Sequence, residues 1–140
     1  MDFLTSFKIC SSGLAAQRAR MEVTASNLAN VETTRTPEGG PYRRKTVVLS
    51  SEPVPDGFNT AFKDAVKMVK IAAIVEEKNV KMAHDPSHPD ADAKGFVAKP
   101  DINPVMEMAD MIAAGRSYEA CVTAFDATKN MALKTLEMGR

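Results

Sequence analysis

The first thirty residues place an apolar side chain at every seventh position: Phe7, Leu14, Met21 and Leu28. Leu4, Cys10 and Ala25 widen that stripe, while Gln17 and Thr24 interrupt the adjoining line. Sevenfold spacing of this kind marks a coiled-coil seam. Residues 2–31 hold no proline and one glycine, so the spacing predicts one helix. Asp2 would cap its start. Its end falls between Asn27 and Thr34, because Asn tolerates the left-handed conformation at a helix terminus and Val31, Thr33 and Thr34 disfavour continuation. The C-terminal segment repeats the pattern with Met111, Tyr118, Phe125 and Ala132, and Met108, Val122 and Leu136 line the adjacent position. Asn103-Pro104 supplies an N-cap and first-turn signature, and Gly139 a stop. Each helix should run roughly 40 to 50 Å at 1.5 Å per residue.

The back of the first helix is also apolar or small. Ile9, Ala16 and Val23 form a second seven-spaced line about 200° round from the first. Ser12, Gly13, Ala19 and Ser26 sit beside it, and only five of residues 2–31 are charged. A helix without a charged face is expected to be buried all round. One partner helix cannot supply that much cover.

The middle of the chain reads differently. All eight prolines lie between residues 32 and 104. Thr36 to Pro41 is loop chemistry. Tyr42 to Leu49 reads as a strand and Ser50 to Asn59 as a second loop. In Val66 to Glu76 the spacing of Phe62, Val66 and Val69 suits a helix, but the β-branched run of Val69, Ile71, Ile74 and Val75 favours a strand. Val80–Ala83 and Gly95–Ala98 are shorter strand candidates. The expected fold is mainly α with a small β insert, its N- and C-terminal helices paired as an antiparallel coiled coil. Residues 1–35 and 102–140 would form a discontinuous helical core, and residues 36–101 a β-rich insert.

Composition narrows the function. The 140 residues carry 18 Lys plus Arg against 18 Asp plus Glu. Zero net charge argues against a nucleic-acid binder. The longest apolar run, Ile71–Val75, is too short for a transmembrane helix. Met1-Asp2 has no basic region before the apolar stretch, so no secretory signal is expected. Nine Met and no Trp suit helix packed on helix.

Candidate chemistry is sparse. His84-Asp85-Pro86-Ser87-His88-Pro89-Asp90-Ala91-Asp92 gathers potential metal ligands. Pro86 and Pro89 forbid the helix that would align the two histidines, so a turn-rich surface loop is the better reading. Cys10 and Cys121 lack a CxxC partner, and His occurs only in that distant loop, so a buried apolar role fits them better than a nucleophile. An antiparallel pairing would put them about one turn apart, and a disulfide needs Cα atoms within ~7 Å. Arg43-Arg44-Lys45 reads as a solvated strand end. No phosphate-binding, nucleophile-elbow or zinc-protease motif is present. The chain is therefore expected to be no enzyme and to need no cofactor or metal.

Ser12-Gly13-Leu14-Ala15-Ala16-Gln17, followed by Ala25-Ser26-Asn27-Leu28-Ala29-Asn30-Val31-Glu32-Thr33-Thr34, resembles the N-terminal motif of the flagellar rod, hook and hook-associated axial proteins. Asp85-Pro86-Ser87-His88-Pro89-Asp90-Ala91, Gly95 to Asn103 and Met111 to Ala120 narrow the resemblance to basal-body rod proteins. Cys121 and Gly115 depart from the family pattern. The resemblance implies a structural subunit of the proximal rod, the periplasmic drive shaft of the basal body, that polymerises through its terminal helices. It also implies export through the flagellar type III apparatus without a cleaved signal. Partners would be further copies of the chain and the rod proteins FliE, FlgB, FlgF and FlgG, with no direct membrane insertion.

Under that reading Leu4, Phe7, Leu14, Met21 and Leu28 pair with Met108, Met111, Tyr118, Val122, Phe125 and Leu136 and extend into subunit contacts. Ile9, Ala16 and Val23 face neighbours. Asn27, Leu28, Ala29, Asn30, Thr34, Asp85, Pro86, His88, Pro89 and Asp90 are the family motif. The alternatives are a soluble helical-hairpin adaptor, a metal-dependent enzyme at His84 and His88, and a distal-rod or hook relative.

Overall fold

A computed structural model describes residues 3–54 and 66–139. The elements are α1 (Phe3–Ala29), β1 (Lys45–Pro53), β2 (Lys67–Glu76), β3 (Val80–His84), β4 (Phe96–Pro100) and α2 (Pro104–Met138). The Asp2 cap, residues 55–59 of the second expected loop, and Phe62 lie outside the described residues.

The helices pair antiparallel. Asn27 bonds Glu107, Gly13 meets Cys121, and the Phe7 and Phe125 rings pack at a tilt of 57° with centroids 4.8 Å apart. That register puts Phe3 level with about residue 131, so the last two turns of α2 run past α1. Asn103 caps α2: its side chain accepts the Val105 N–H at 3.0 Å, and Pro104 occupies the first turn. The chain leaves α2 at Gly139.

The strands make two separate two-stranded antiparallel sheets among the described residues, β1–β2 and β3–β4. Lys45 pairs with Glu76 and Pro53 with Lys67, with a bulge after Val48. Ser50–Pro53, expected as loop, thus belong to β1, because Lys67–Lys70 offer them a ladder. In the second sheet Val80 pairs with Pro100 and His84 with Phe96. Gly95 closes the loop between β3 and β4 at φ +76°, and a Cβ there would stand 3.2 Å from Pro86.

The helix seam differs from the expected apolar stripe. On α2 the buried positions are Glu107, Ala114 and Thr128, seven-spaced through Cys121; on α1 they are Ala16, Thr24 and Asn27. These side chains are small or polar. Leu14 and Leu28 lie one residue, hence about 100°, round from Gly13 and Asn27 and are only half-buried, as is Met21. Leu4, Met108, Val122 and Leu136, expected to pair, are exposed. The physical reason is close approach: with Gly13, Ala16 and Ala114 at the contact there is no room for large side chains, which flank it instead.

Ala16 corrects a second expectation. It is 1% exposed, not turned outward. The β1–β2 hairpin packs on α1 beside the helix pair. The Val69 N–H donates to Ser12 Oγ at 3.2 Å, and Val23 lines an open cleft of about 300 Å³ with Val47 and Leu49. Part of the cover that α1 requires therefore comes from the chain's own hairpin.

Candidate functional site: a polar junction and an apolar outer surface

Two regions could carry function. The first is a junction where α1, α2 and the hairpin meet. Asn27, at the last turn of α1, is 1% exposed. Its amide donates to the Lys45 carbonyl at 2.8 Å and to Glu107 Oε2 at 3.0 Å. Its Oδ1 accepts from the Lys45 N–H at 2.9 Å and from the Tyr42 hydroxyl at 3.1 Å. The side chain thus substitutes for a neighbouring strand at the start of β1, satisfying both backbone groups of one residue. Ser26 reaches the same Tyr42 hydroxyl.

Glu107 is the most deeply buried charge described, at 2% exposed. Arg44 Nε donates to its Oε1 at 2.7 Å, and Arg44 also donates to Glu77 at 2.6 Å and to Thr46 at 3.0 Å. Burial opposes the Arg44 charge, but hydrogen bonds to Glu107 and Glu77 outweigh it and raise the guanidinium pKa above its ordinary value. No buried side-chain polar atom among the described residues lacks a partner. The cluster meets the condition under which burying charge is tolerable.

The family motifs converge around this junction. Asn30 donates to the Ser26 carbonyl and accepts from Thr33, turning the chain out of α1, and the Tyr42 N–H then bonds the Thr33 carbonyl. Thr34 donates to Asp90 at 2.8 Å, joining motif segments 56 residues apart. Leu28 and Ala29 complete the last turn of α1; Ala29 is exposed and Leu28 half-buried. The Asp85 loop is a set of turns. Ser87 donates hydroxyl and N–H to Asp85 Oδ1, which holds that carboxyl below the usual carboxylate range, and His88 Nδ1 accepts the Asp90 N–H. Pro86 packs beside Gly95, and the His84 ring stands edge-on to Phe96. Pro89 is exposed within this loop. No cluster of metal-ligating side chains occurs among the described residues. Both cysteines are free thiols, and Cys121 Sγ lies against Gly13.

Sequence reasoning missed the roles of Arg44, Glu107, Tyr42 and Glu77. Glu107 reads as an ordinary first-turn acid and Arg44 as a solvated strand end. The one available signal was an acid at the foot of a helix that otherwise carries few charges on that line.

The second region is the outside of the helix pair. On α2, Val105, Met108, Ile112, Val122, Leu133 and Leu136 are exposed, Ile112 at 59% and Leu136 at 72%. Met111, Tyr118 and Phe125 are half-buried along the seam, as is Ile9 on α1. Large apolar side chains outside and small polar ones inside is the reverse of a self-sufficient hairpin. Exposed large apolar side chains in this number on one helix are a candidate contact surface. No described helix is long and apolar enough to cross a membrane.

These features fit an axial protein of the bacterial flagellum, and comparison with known proteins agrees. Residues 7–35 match the family "Flagella basal body rod protein", and residues 93–138 match "Flagellar basal body rod FlgEFG protein C-terminal". The chain is 43% identical over 147 residues to the flagellar basal-body rod protein FlgC of Bacillus subtilis, covering 96% of this chain and 97% of the relative. It is 39% identical to FlgC of Salmonella typhimurium over the whole of both chains. With FlgC of Aquifex aeolicus it shares 39% identity over 98% of this chain and 97% of the relative. The chain belongs to the FlgC family of flagellar basal-body rod proteins. It is a structural subunit of the flagellar rod in the basal body, where the rod's general role is to transmit torque.

Proposed function

We propose that the chain acts mechanically, without a catalytic step, as a proximal-rod subunit that polymerises through its terminal helices. The observation that carries this reading is the inverted helix pair. A seam of Gly13, Ala16, Ala114 and Thr128 leaves Ile112, Val122 and Leu133 exposed among the described residues, open to a second molecule. The helical segments, residues 1–35 and 102–140, would form the core that joins the shaft, and residues 36–101 the insert held to it by the Asn27–Glu107–Arg44 junction. Partners of this surface would be further copies of the chain and the rod proteins FliE, FlgB, FlgF and FlgG. The subunit would reach the periplasmic rod through the flagellar export apparatus. Phe7 and Phe125 would serve both the pair and the assembly, since their packed rings border an open apolar groove with Leu4 and Met68.

The test uses residues that the fold does not need. Ile112→Glu with Leu133→Glu should leave the folded chain as stable as before, because both side chains are exposed. Recovery of the variant in isolated basal bodies should fall to background, and swimming should stop. Normal recovery would overturn the reading. A discrete, soluble dimer of the unaltered chain that never enters basal bodies would favour the adaptor instead.

A further inference from the structure

Phe7, Cys10 and Gly13 follow one another at three-residue spacing and form one row along α1. Both outer members of the row touch α2. The Phe7 and Phe125 ring centroids are 4.8 Å apart, and a Cβ at Gly13 would stand 3.2 Å from Cys121 Sγ. Cys10 lies between them and shares their side of the helix. Six residues of α1, from Phe7 to Gly13, thus run against four of α2, from Cys121 to Phe125. Cys10, midway along its stretch, falls level with about residue 123, only ~3 Å along the axis from Cys121.

The helices also come close here. Helices that touch through small residues approach to about 8 Å between axes, and each Cα stands about 2.3 Å off its own axis. Cα atoms that face one another with ~3 Å between their levels then meet the ~7 Å limit for a disulfide. Gly13 contributes in a second way. It has no Cβ, so Cys121 Sγ occupies space above the α1 backbone that an alanine at 13 would take at 3.2 Å. Both thiols are free and half-buried, so each still meets solvent and a dissolved reagent.

We infer that Cys10 and Cys121 form an oxidant-dependent cross-link site between α1 and α2. The open form has two free thiols. Closure proceeds by exchange with an external disulfide, such as glutathione disulfide. One cysteine sulfur attacks it, forms a mixed disulfide and releases the first oxidant thiol. The other cysteine attacks the mixed disulfide and releases the second. One S–S bond joins the helices, the external S–S bond is reduced, and the two cysteine protons end on the two released thiols. The new bond would close most of the chain into one loop and restrict its unfolded state. The helix pair would then resist separation in an oxidising compartment and return to the open form on reduction. This goes beyond the rod-subunit reading and does not depend on it.

Thiol mapping of the full chain tests the site. The protein is purified under reduction, incubated folded with glutathione disulfide, alkylated, digested and read by mass spectrometry. The expected product is a monomer with one peptide pair joining Cys10 to Cys121, and its urea midpoint lies above that of the reduced chain. A displaced thiol supplies the control. In Cys10→Ser with Ser11→Cys the sulfur moves about 100° round α1 to an exposed position, and bridging within one chain should be about ten-fold slower. Mixed disulfides that never resolve, links between copies, thiols that stay free, or equal bridging in the displaced variant each overturn the inference. All four leave the rod-subunit reading standing, because incorporation into basal bodies does not enter the assay.

Discussion

The junction at Asn27 and the outer surface of α2 treat their side chains in opposite ways. At the junction, polar groups are buried and every one is satisfied: Asn27 makes four hydrogen bonds, and Glu107 is held by Arg44 and Asn27. On α2, large apolar groups are exposed, with none of the other described residues covering them. The first region is complete within one molecule and the second is not. Burying polar residues only where geometry is fixed, and leaving apolar area free where partners arrive, makes a stiff joint behind an adhesive surface. A subunit of a rotating shaft needs both. Under the proposed function the joint would keep the insert from swinging on the helices, and the surface would supply the association energy.

Breaking the joint should have the largest effect on the isolated chain. Glu107→Ala removes one acceptor from Arg44 and one from the Asn27 amide, which keep Glu77 and the Lys45 carbonyl, and urea unfolding should show a loss of about 3 kcal/mol. Asn27→Ala leaves the Lys45 N–H and carbonyl without partners and should cost about 2–3 kcal/mol in the same assay. Ile112→Glu with Leu133→Glu reverses the pattern: stability should stay within about 0.5 kcal/mol while basal-body incorporation is lost. If the outer substitutions destabilised the chain as much as Glu107→Ala does, the contrast between the regions would fail.

A smaller effect separates the junction from the Asp85 loop. The Ser87 hydrogen bonds lower the Asp85 pKa in the folded chain. A depressed carboxylate contributes above its unfolded pKa and loses that contribution as pH falls through the folded value. The loop should therefore keep its turn at neutral pH and loosen only below the usual carboxylate range. Ser87→Ala should move the Asp85 titration, followed by NMR, back up towards that range, with little change in global stability because the loop is exposed. The least effect of all belongs to Arg18→Ala in the isolated monomer, where an exposed pair with Glu22 is worth a few tenths of a kcal/mol at most.

The sequence made the elements legible where the signals are local. Asn103-Pro104 set the start of α2 because capping satisfies that helix's own N–H groups. β3 and β4 fall within two residues of the expected strands, because the Asp85–Gly95 turn residues between them are a local signal. β1 was misplaced at its far end, since its last residues are strand only through pairing with β2. The family motif at Asn27 to Asn30 was visible, but its purpose was not. Nothing in the order of residues says that the Asn27 amide meets Lys45 and Glu107, 18 and 80 positions away.

By itself, then, the sequence determined two long helices, their antiparallel arrangement around a β insert, and membership of an axial family. Those follow from periodicity, capping and short motifs, all read within a few turns of chain. The tertiary structure decided which stripe of each helix lies inside. Hydrophobicity ranks Leu14 above Gly13 and Met108 above Glu107, yet the seam took Gly13 and Glu107. Close helix approach favours small side chains at the contact, and a buried charge is tolerated when Arg44, arriving from the hairpin, pairs with it. Both conditions depend on distances between segments far apart in the chain, and only the folded arrangement sets them.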